Sequence, residues 1–415
     1  MFDTTFIVLQ NNVIVKENKH IMHNEHFNRK KVQLVMEVAF VLGFLDAFLI
    51  YILSSYFSRL IGSDNVGIFY LVAYSGVLAS LFYLQPLIRI IGKARALYLF
   101  LGLTIFASVF LTRMDISWMA VGLVLLFIIT TNVIWVVLDI LLEGFSKDRL
   151  SGRIRGLHLT ILNAGLLAAP FLSTLALERF GYEGIFFILV VGYIIVFLIT
   201  LIGFRSDNVV FQQRLRLRQT LRKMLLDKNL SRIYFISFAM EFFYAMMIVY
   251  MPLYLLSIGF SWHTIGIIFT FMLIPFVILQ YPLGILADRR FGEKELLFGS
   301  IFIVFVATSI IGFLDTQSLW IWGSVLFFSR VGIAGIEVLR DSYFYKQIDG
   351  DGMDVIAFFR TTRPLANIVG AVLSALIFII FPLKSIFFMV ALVLFASLFT
   401  AFRLEDTKSE REALS

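Results

Sequence analysis

The sequence predicts an all-α membrane protein of twelve transmembrane helices, arranged as two pseudo-symmetric six-helix bundles. Three observations predict it. Twelve apolar stretches follow one another along the 415 residues, nearly all reaching the roughly 20 residues that a helix needs to cross hydrocarbon. Lys and Arg crowd into alternate connections, and short sequence features of the first half return about 200 residues later. Composition agrees: 60% of residues are hydrophobic and only 15% charged, where a soluble domain carries about 25% charged residues.

The first span, residues 33–57, follows a polar tail (1–31). The apolar stretch of that tail, Phe6 to Val15, is split by Gln10, Asn11 and Asn12, so it does not read as a signal peptide. Spans at 65–88, 96–112, 117–143, 156–177 and 184–204 complete a first bundle, residues 32–204. Residues 205–231 form the longest internal polar interval and read as a linker. Between Phe211 and Leu226 that linker interleaves Arg and Lys with Leu215, Leu217, Leu221 and Leu225, a pattern that suits either a helix lying on an anionic membrane surface or a solvated basic segment. Spans at 232–256, 263–286, 295–314, 318–345, 355–381 and 384–402 make the second bundle, 232–403, and 404–415 is a tail. All seven Pro fall in or beside spans, where neighbouring helices and water can satisfy the freed backbone groups.

All but six of the 35 Lys and Arg lie in the tails and the even-numbered connections; the odd ones hold only Arg59, Arg113, Arg179 and Lys384. Positive loops stay cytoplasmic, so both termini are expected inside and the span count is even. The net charge of +7 is therefore topology, with no nucleic-acid partner implied. No Cys is present, and His20, His23 and His26 beside Glu25 read as an exposed tail rather than a metal site. No nucleotide-binding loop or nucleophile elbow occurs, so neither ATP-driven pumping nor hydrolysis is supported, and no enzyme, no cofactor and no metal are expected.

The halves echo each other. Ile50-Tyr51 ahead of Gly67-Ile68 matches Val249-Tyr250 ahead of Gly266-Ile267, and Pro86-Leu87 matches Pro282-Leu283. Asp139 with its neighbours resembles Asp341, and Asn163 resembles Asn367. Such a repeat implies similar bundles about a pseudo-two-fold axis, with substrate near the midplane between them. After the eighth span comes Gly284-Ile-Leu-Ala-Asp288-Arg289-Arg290-Phe-Gly292-Glu-Lys294. It resembles the cytoplasmic loop signature of the major facilitator superfamily, with one residue added before Gly292 and Glu293 where a basic residue is common. The first-half loop, Pro86 to Arg95, keeps Gly92 and the basic residues but has no Asp. The resemblance covers residues 32–403 and implies a secondary transporter whose first, fourth, seventh and tenth spans line a central cavity. It also implies a cytoplasmic gate, formed here by Gly284, Asp288, Arg289, Arg290 and Gly292 with Asp139, Glu143 and Asp341, and extended by Arg153, Arg155, Arg360 and Arg363.

Ionisable residues deep in spans are costly and mark function by default. Asp46, Glu241 and Arg330 each lie roughly 14 to 20 Å along a span, at 1.5 Å per residue, and on the spans that the resemblance assigns to the cavity. Arg330 is expected to pair with Asp46 or Glu241 while the other carboxylate carries a proton; a static ion pair that orients helices is the alternative. Glu337 and Asp341 continue the Arg330 face toward the cytoplasm as a proton path or part of the gate. Around the midplane the candidate substrate contacts are Tyr51, Asn132, Trp135, Tyr244, Met247, Tyr250 and Trp322, with Arg330 available to hold an anion; the set is mostly aromatic and suits lipophilic or cationic ligands. The expected protein is a monomer in the cell membrane, moving a small organic solute with protons and leaning to efflux of amphipathic compounds. Uptake of a sugar, nucleoside or organic acid is the second reading, and a membrane sensor or scaffold the third.

Overall fold

The computed structural model describes residues 29–145, 151–204, 226–287, 292–346 and 358–405. The tail histidines, most of the basic linker and the loop residues Asp288, Arg289 and Arg290 lie outside these, and so do the side chains of Glu143, Arg153 and Arg155. The described residues are helical throughout, with no strand among them. In chain order the helices are α1 (Arg29–Ile50), α2 (Leu53–Ile61), α3 (Gly67–Ile91), α4 (Lys93–Leu111), α5 (Trp118–Phe145) and α6 (Ser151–Gly203). The second half contains α7 (Lys228–Ser257), α8 (Trp262–Leu286), α9 (Glu293–Ile311), α10 (Leu319–Lys346), α11 (Thr362–Ile377) and α12 (Ser385–Phe402).

Two features reconcile these helices with twelve crossings. The first span is broken at Tyr51–Ile52 into α1 and α2; just past the break the Ile52 carbonyl accepts both the Tyr56 backbone N–H at 3.3 Å and Ser55 Oγ at 2.7 Å, the side-chain back-bonding that accompanies helix bends. Conversely, α6 contains 53 residues, about twice what one crossing needs, and bends back at Gly181 (φ 64°, ψ −167°), so it supplies the fifth and sixth spans. The left-handed φ is why Gly occupies that bend. The eleventh span is shorter than its apolar run suggests, with regular helix only over Thr362–Ile377.

A membrane protein needs no polar coat, and the outward faces here are apolar: Ile90, Ile202, Phe313 and Trp320 are each at least 75% exposed. Trp118 and Trp320 open α5 and α10 at the same end of the molecule, where amphipathic rings sit at headgroup level. Within each half, helices pack in similar patterns: α1 on α6 and α4 on α5 in the first, and α7 on α11 and α12 and α9 on α10 in the second. The repeat is visible in backbone geometry. Gly92 and Gly292 occupy equivalent loops and the N-caps of α4 and α9 with nearly the same conformation (φ 88°, ψ 160° and φ 70°, ψ 174°).

The halves meet mainly along two seams, α3 against α11 and α6 against α8, with α2 also touching α7. Each seam rests on a repeat-related glycine at the end with few basic residues. A Cβ on Gly67 would lie 2.9 Å from the Ala371 carbonyl and 3.0 Å from Ser374 Oγ, and one on Gly266 would overlap Thr174. The crevice beside Gly67, walled by Tyr70, Val249, Tyr250 and Asn367, is too narrow for water. Across the other seam, Glu178 accepts a hydrogen bond from the His263 backbone N–H at 2.8 Å. The loop-poor end is therefore closed.

Candidate transport site

The carboxylate of the first half is held by its own bundle. Asp46 on α1 accepts hydrogen bonds from the Trp135 indole N–H on α5 and from the Tyr193 hydroxyl on α6, the latter at 3.0 Å. Tyr193 is fully buried and stacks edge-on against Phe127. Neutral donors that favour the ionised carboxylate replace the water lost on burial, so Asp46 needs no cation of its own bundle.

The second half is built from charges. Arg340 on α10 pairs with Glu241 on α7 at 3.3 Å and with Asp341 at 3.2 Å, donates to Ser237 Oγ at 2.5 Å, and lies 5.7 Å from the Phe359 ring. This corrects the expected pairing: Arg330 bonds neither Asp46 nor Glu241. Arg340 reaches Glu241 from two to three turns further along the same helix, and Asp46 is already satisfied. Arg330 is 1% exposed, and its guanidinium lies 5.0 Å and 5.7 Å from the Phe243 and Tyr244 rings of α7. Tyr51, at the break between α1 and α2, brings its hydroxyl beside Arg330 from the opposite half, and its ring lies tilted against Phe269 of α8 with centroids 4.9 Å apart.

Two groups bridge the halves near these charges. Asn163 Nδ2 on α6 donates to Gln280 Oε1 on α8 at 3.0 Å, and Gln280 Nε2 donates to Glu337 Oε2 on α10 at 2.7 Å. Arg363, counted with the basic connection although the expected eleventh span (355–381) includes it, is the second residue of α11 and faces Tyr74 and Asp46 of the first half and Glu241 of the second. It keeps accessible surface despite that depth, so it borders a space large enough for water.

Other expected contacts are placed elsewhere. Trp322 is fully buried inside the second bundle, its indole N–H on the Thr316 carbonyl at 2.7 Å and its ring 5.7 Å from Tyr254. It packs helices at the start of α10 and not at the midplane. Tyr250 donates to Ser374 Oγ at 2.7 Å and belongs to the closed seam at Gly67. Asn132 spends its amide on the Ile128 carbonyl one turn back, at 2.8 Å, and Met247 is 1% exposed. Tyr51 and Tyr244 lie beside Arg330, and Trp135 beside Asp46.

Comparison with known proteins decides the family. The Major Facilitator Superfamily matches over residues 35–344 and again over 233–415. The chain belongs to the major facilitator superfamily. Its fold is similar to a crystal structure of a mutant of the nucleoside transporter NupG, at 13% sequence identity and a TM-score of 0.69, covering 90% of this chain and 99% of that one. No curated protein sequence matches significantly. The chain is thus an integral, multi-pass membrane transporter of small solutes and not an enzyme.

The described residues among those expected at a gate are placed differently. A Cβ on Gly284 would meet Val338 of α10 at 3.5 Å, an ordinary contact, so close approach there does not require glycine. Asp139 at the end of α5 pairs across the halves with Arg360, just ahead of α11, at 3.0 Å with both side chains partly exposed. Asp341 joins Arg340 within its own bundle and so belongs to the charge cluster. Sequence reasoning passed over Arg340, Tyr193 and Gln280 as site residues, and gave Arg363 only to the gate. Only Arg340 carried a signal, lying three residues after Glu337 and beside Asp341 on one helix.

Proposed function

We propose that this protein is a proton-coupled secondary transporter of a small organic solute, working by rocking of the two bundles, with the basic end cytoplasmic. The observation that carries the reading is the chain Asn163–Gln280–Glu337, which ties a half-buried carboxylate to the seam between halves. Glu337 accepts from the Gln280 amide, whose other end accepts from Asn163. An ionised carboxylate only accepts, whereas a protonated one also donates. Protonating Glu337 therefore favours turning Gln280 about its amide, which would set its NH₂ against that of Asn163 unless Asn163 turns as well. A proton on α10 thereby changes the contact between α6 and α8, the seam that must part when the bundles rock. Glu241 and Asp46 serve as electrostatic neighbours of this carrier, since both already have strong partners.

The lean toward efflux of amphipathic compounds rested on aromatic walls. Several of those rings are spent on helix packing or on Asp46, so the geometry supports uptake of a sugar, nucleoside or organic acid at least as well. Arg330 favours that second reading, because a cation with aromatic faces repels cationic drugs. The similarity to a nucleoside transporter adds a candidate solute.

The test is flux in proteoliposomes containing the full chain, under an imposed pH gradient, with labelled nucleosides, sugars, organic acids and lipophilic cations. The expected result is accumulation of one class that collapses when the gradient is dissipated. Glu337→Gln should abolish accumulation while keeping solute exchange at equal concentrations. Accumulation that survives in Glu337→Gln assigns the proton to another group.

A further inference from the structure

Arg330 is an anomaly of charge. Four carboxylates in the interior of the described structure have partners: Asp46 has Trp135 and Tyr193, Glu241 and Asp341 have Arg340, and Glu337 has Gln280. Arg340 is matched by two of them, and Arg363 faces Asp46 and Glu241. Arg330 has no carboxylate, and its Nε and Nη1 are buried without a hydrogen-bond partner among the described residues.

What surrounds it is apolar or weakly polar: the faces of Phe243 and Tyr244 on α7 and the Tyr51 hydroxyl. Aromatic faces attract the guanidinium but leave its in-plane N–H groups unmade, and a lone buried cation costs more than such contacts return. The position is also the right one for a ligand. Tyr51 comes from the first half at a helix break, Arg330 and Tyr244 come from the second, and both halves must move to release whatever lies between them.

We propose that Arg330 is the anion-recognising residue of the transport site, and that the solute is a small organic acid. Its carboxylate would take the free N–H groups of Arg330, and its flat or apolar body would lie among Tyr51, Tyr244 and Phe269. A guanidinium suits a carboxylate because its N–H groups lie in one plane and it does not lose its charge on burial. Tyr51, whose hydroxyl lies beside Arg330, has an O–H to donate to the same carboxylate. This deepens the transport reading above and rests on it.

The experiment combines thermal unfolding of the purified full-length protein with proteoliposome flux, using benzoate and phenylacetate, their amides, uridine, glucose and tetraphenylphosphonium as probes. Carboxylates should raise the unfolding temperature and be transported, and their amides should do neither. Arg330→Met should unfold at a temperature equal to or above that of wild type, because it removes an uncompensated buried charge. It should also weaken carboxylate binding about 10- to 100-fold, the loss expected of charge-assisted hydrogen bonds. Tyr51→Phe, which keeps the ring, should weaken carboxylate binding about fivefold, and this variant still reports if Arg330→Met does not fold. Carboxylate binding that persists in Arg330→Met overturns the assignment. Transport of uridine, glucose or the cation with no response to either acid overturns the organic-acid class while leaving the transporter reading intact. Absence of flux for every probe counts against the transporter reading itself.

Discussion

The two bundles share a backbone plan and differ in how they treat charge. In the first, one buried carboxylate, Asp46, is held by an indole and a phenol. In the second, Glu241, Arg330, Glu337, Arg340 and Asp341 crowd onto two helices, and Arg363 joins from a third. Repeat-related positions therefore have the same geometry and different chemistry. The lesson concerns where a symmetric scaffold can place function. The helices and seams of both halves build the moving frame, while the charges of one half can carry solute and proton.

Substitutions at the two carboxylates give the widest separation between the halves. Glu241→Gln leaves Arg340 with a single, more exposed carboxylate and should cost about 3 kcal/mol, in the range for breaking a buried pair. Asp46→Asn keeps an acceptor oxygen for one of its two donors and should cost about 1 kcal/mol. Thermal unfolding of both variants in the same detergent checks the order. Equal losses would mean that the halves handle buried charge alike. If Arg340→Met recovers most of the stability lost in Glu241→Gln, the cost lies in the orphaned cation.

The seams test the shared part of the plan. Gly67→Val and Gly266→Val should each disfavour closure of the loop-poor end by about 1 to 3 kcal/mol, because the facing carbonyl and hydroxyl leave no room for a side chain. That shifts the equilibrium about 5- to 30-fold or more toward the form open at that end. The chain has no Cys, so a cysteine placed at Val249 on the crevice wall is a single reporter. Its labelling by a membrane-impermeant maleimide should accelerate in both variants. If only one variant responds, the two seams do not move together.

The smallest effect is expected at the basic end. Asp139 and Arg360 are 36% and 25% exposed, so Arg360→Ala should change stability by about 0.2 to 1 kcal/mol. The difference should vanish in about 1 M salt, where the screening length falls to about 3 Å. A loss that persists in high salt would place this pair with the buried cluster.

Twelve crossings, the repeat and the glycines at its seams were legible in the sequence because bilayer thickness, helix rise and backbone sterics act on local stretches of chain. Gly67 and Gly266 could be paired from sequence spacing alone, and both turned out to set the approach of the halves. Charge partners were a different matter. Asp46, Glu241, Arg330 and Glu337 were visible as ionisable residues inside spans. Which of them meet depends on helix rotation and on tenths of a turn, and spacing along the chain does not determine that. Arg340 took Glu241 away from Arg330, Tyr193 and Trp135 satisfied Asp46 without a cation, and Arg363, counted with a basic connection, faces the interior. Local physics made the helices and their topology; only the packing of one helix face against another decided which charges were paired and which one was left for a ligand.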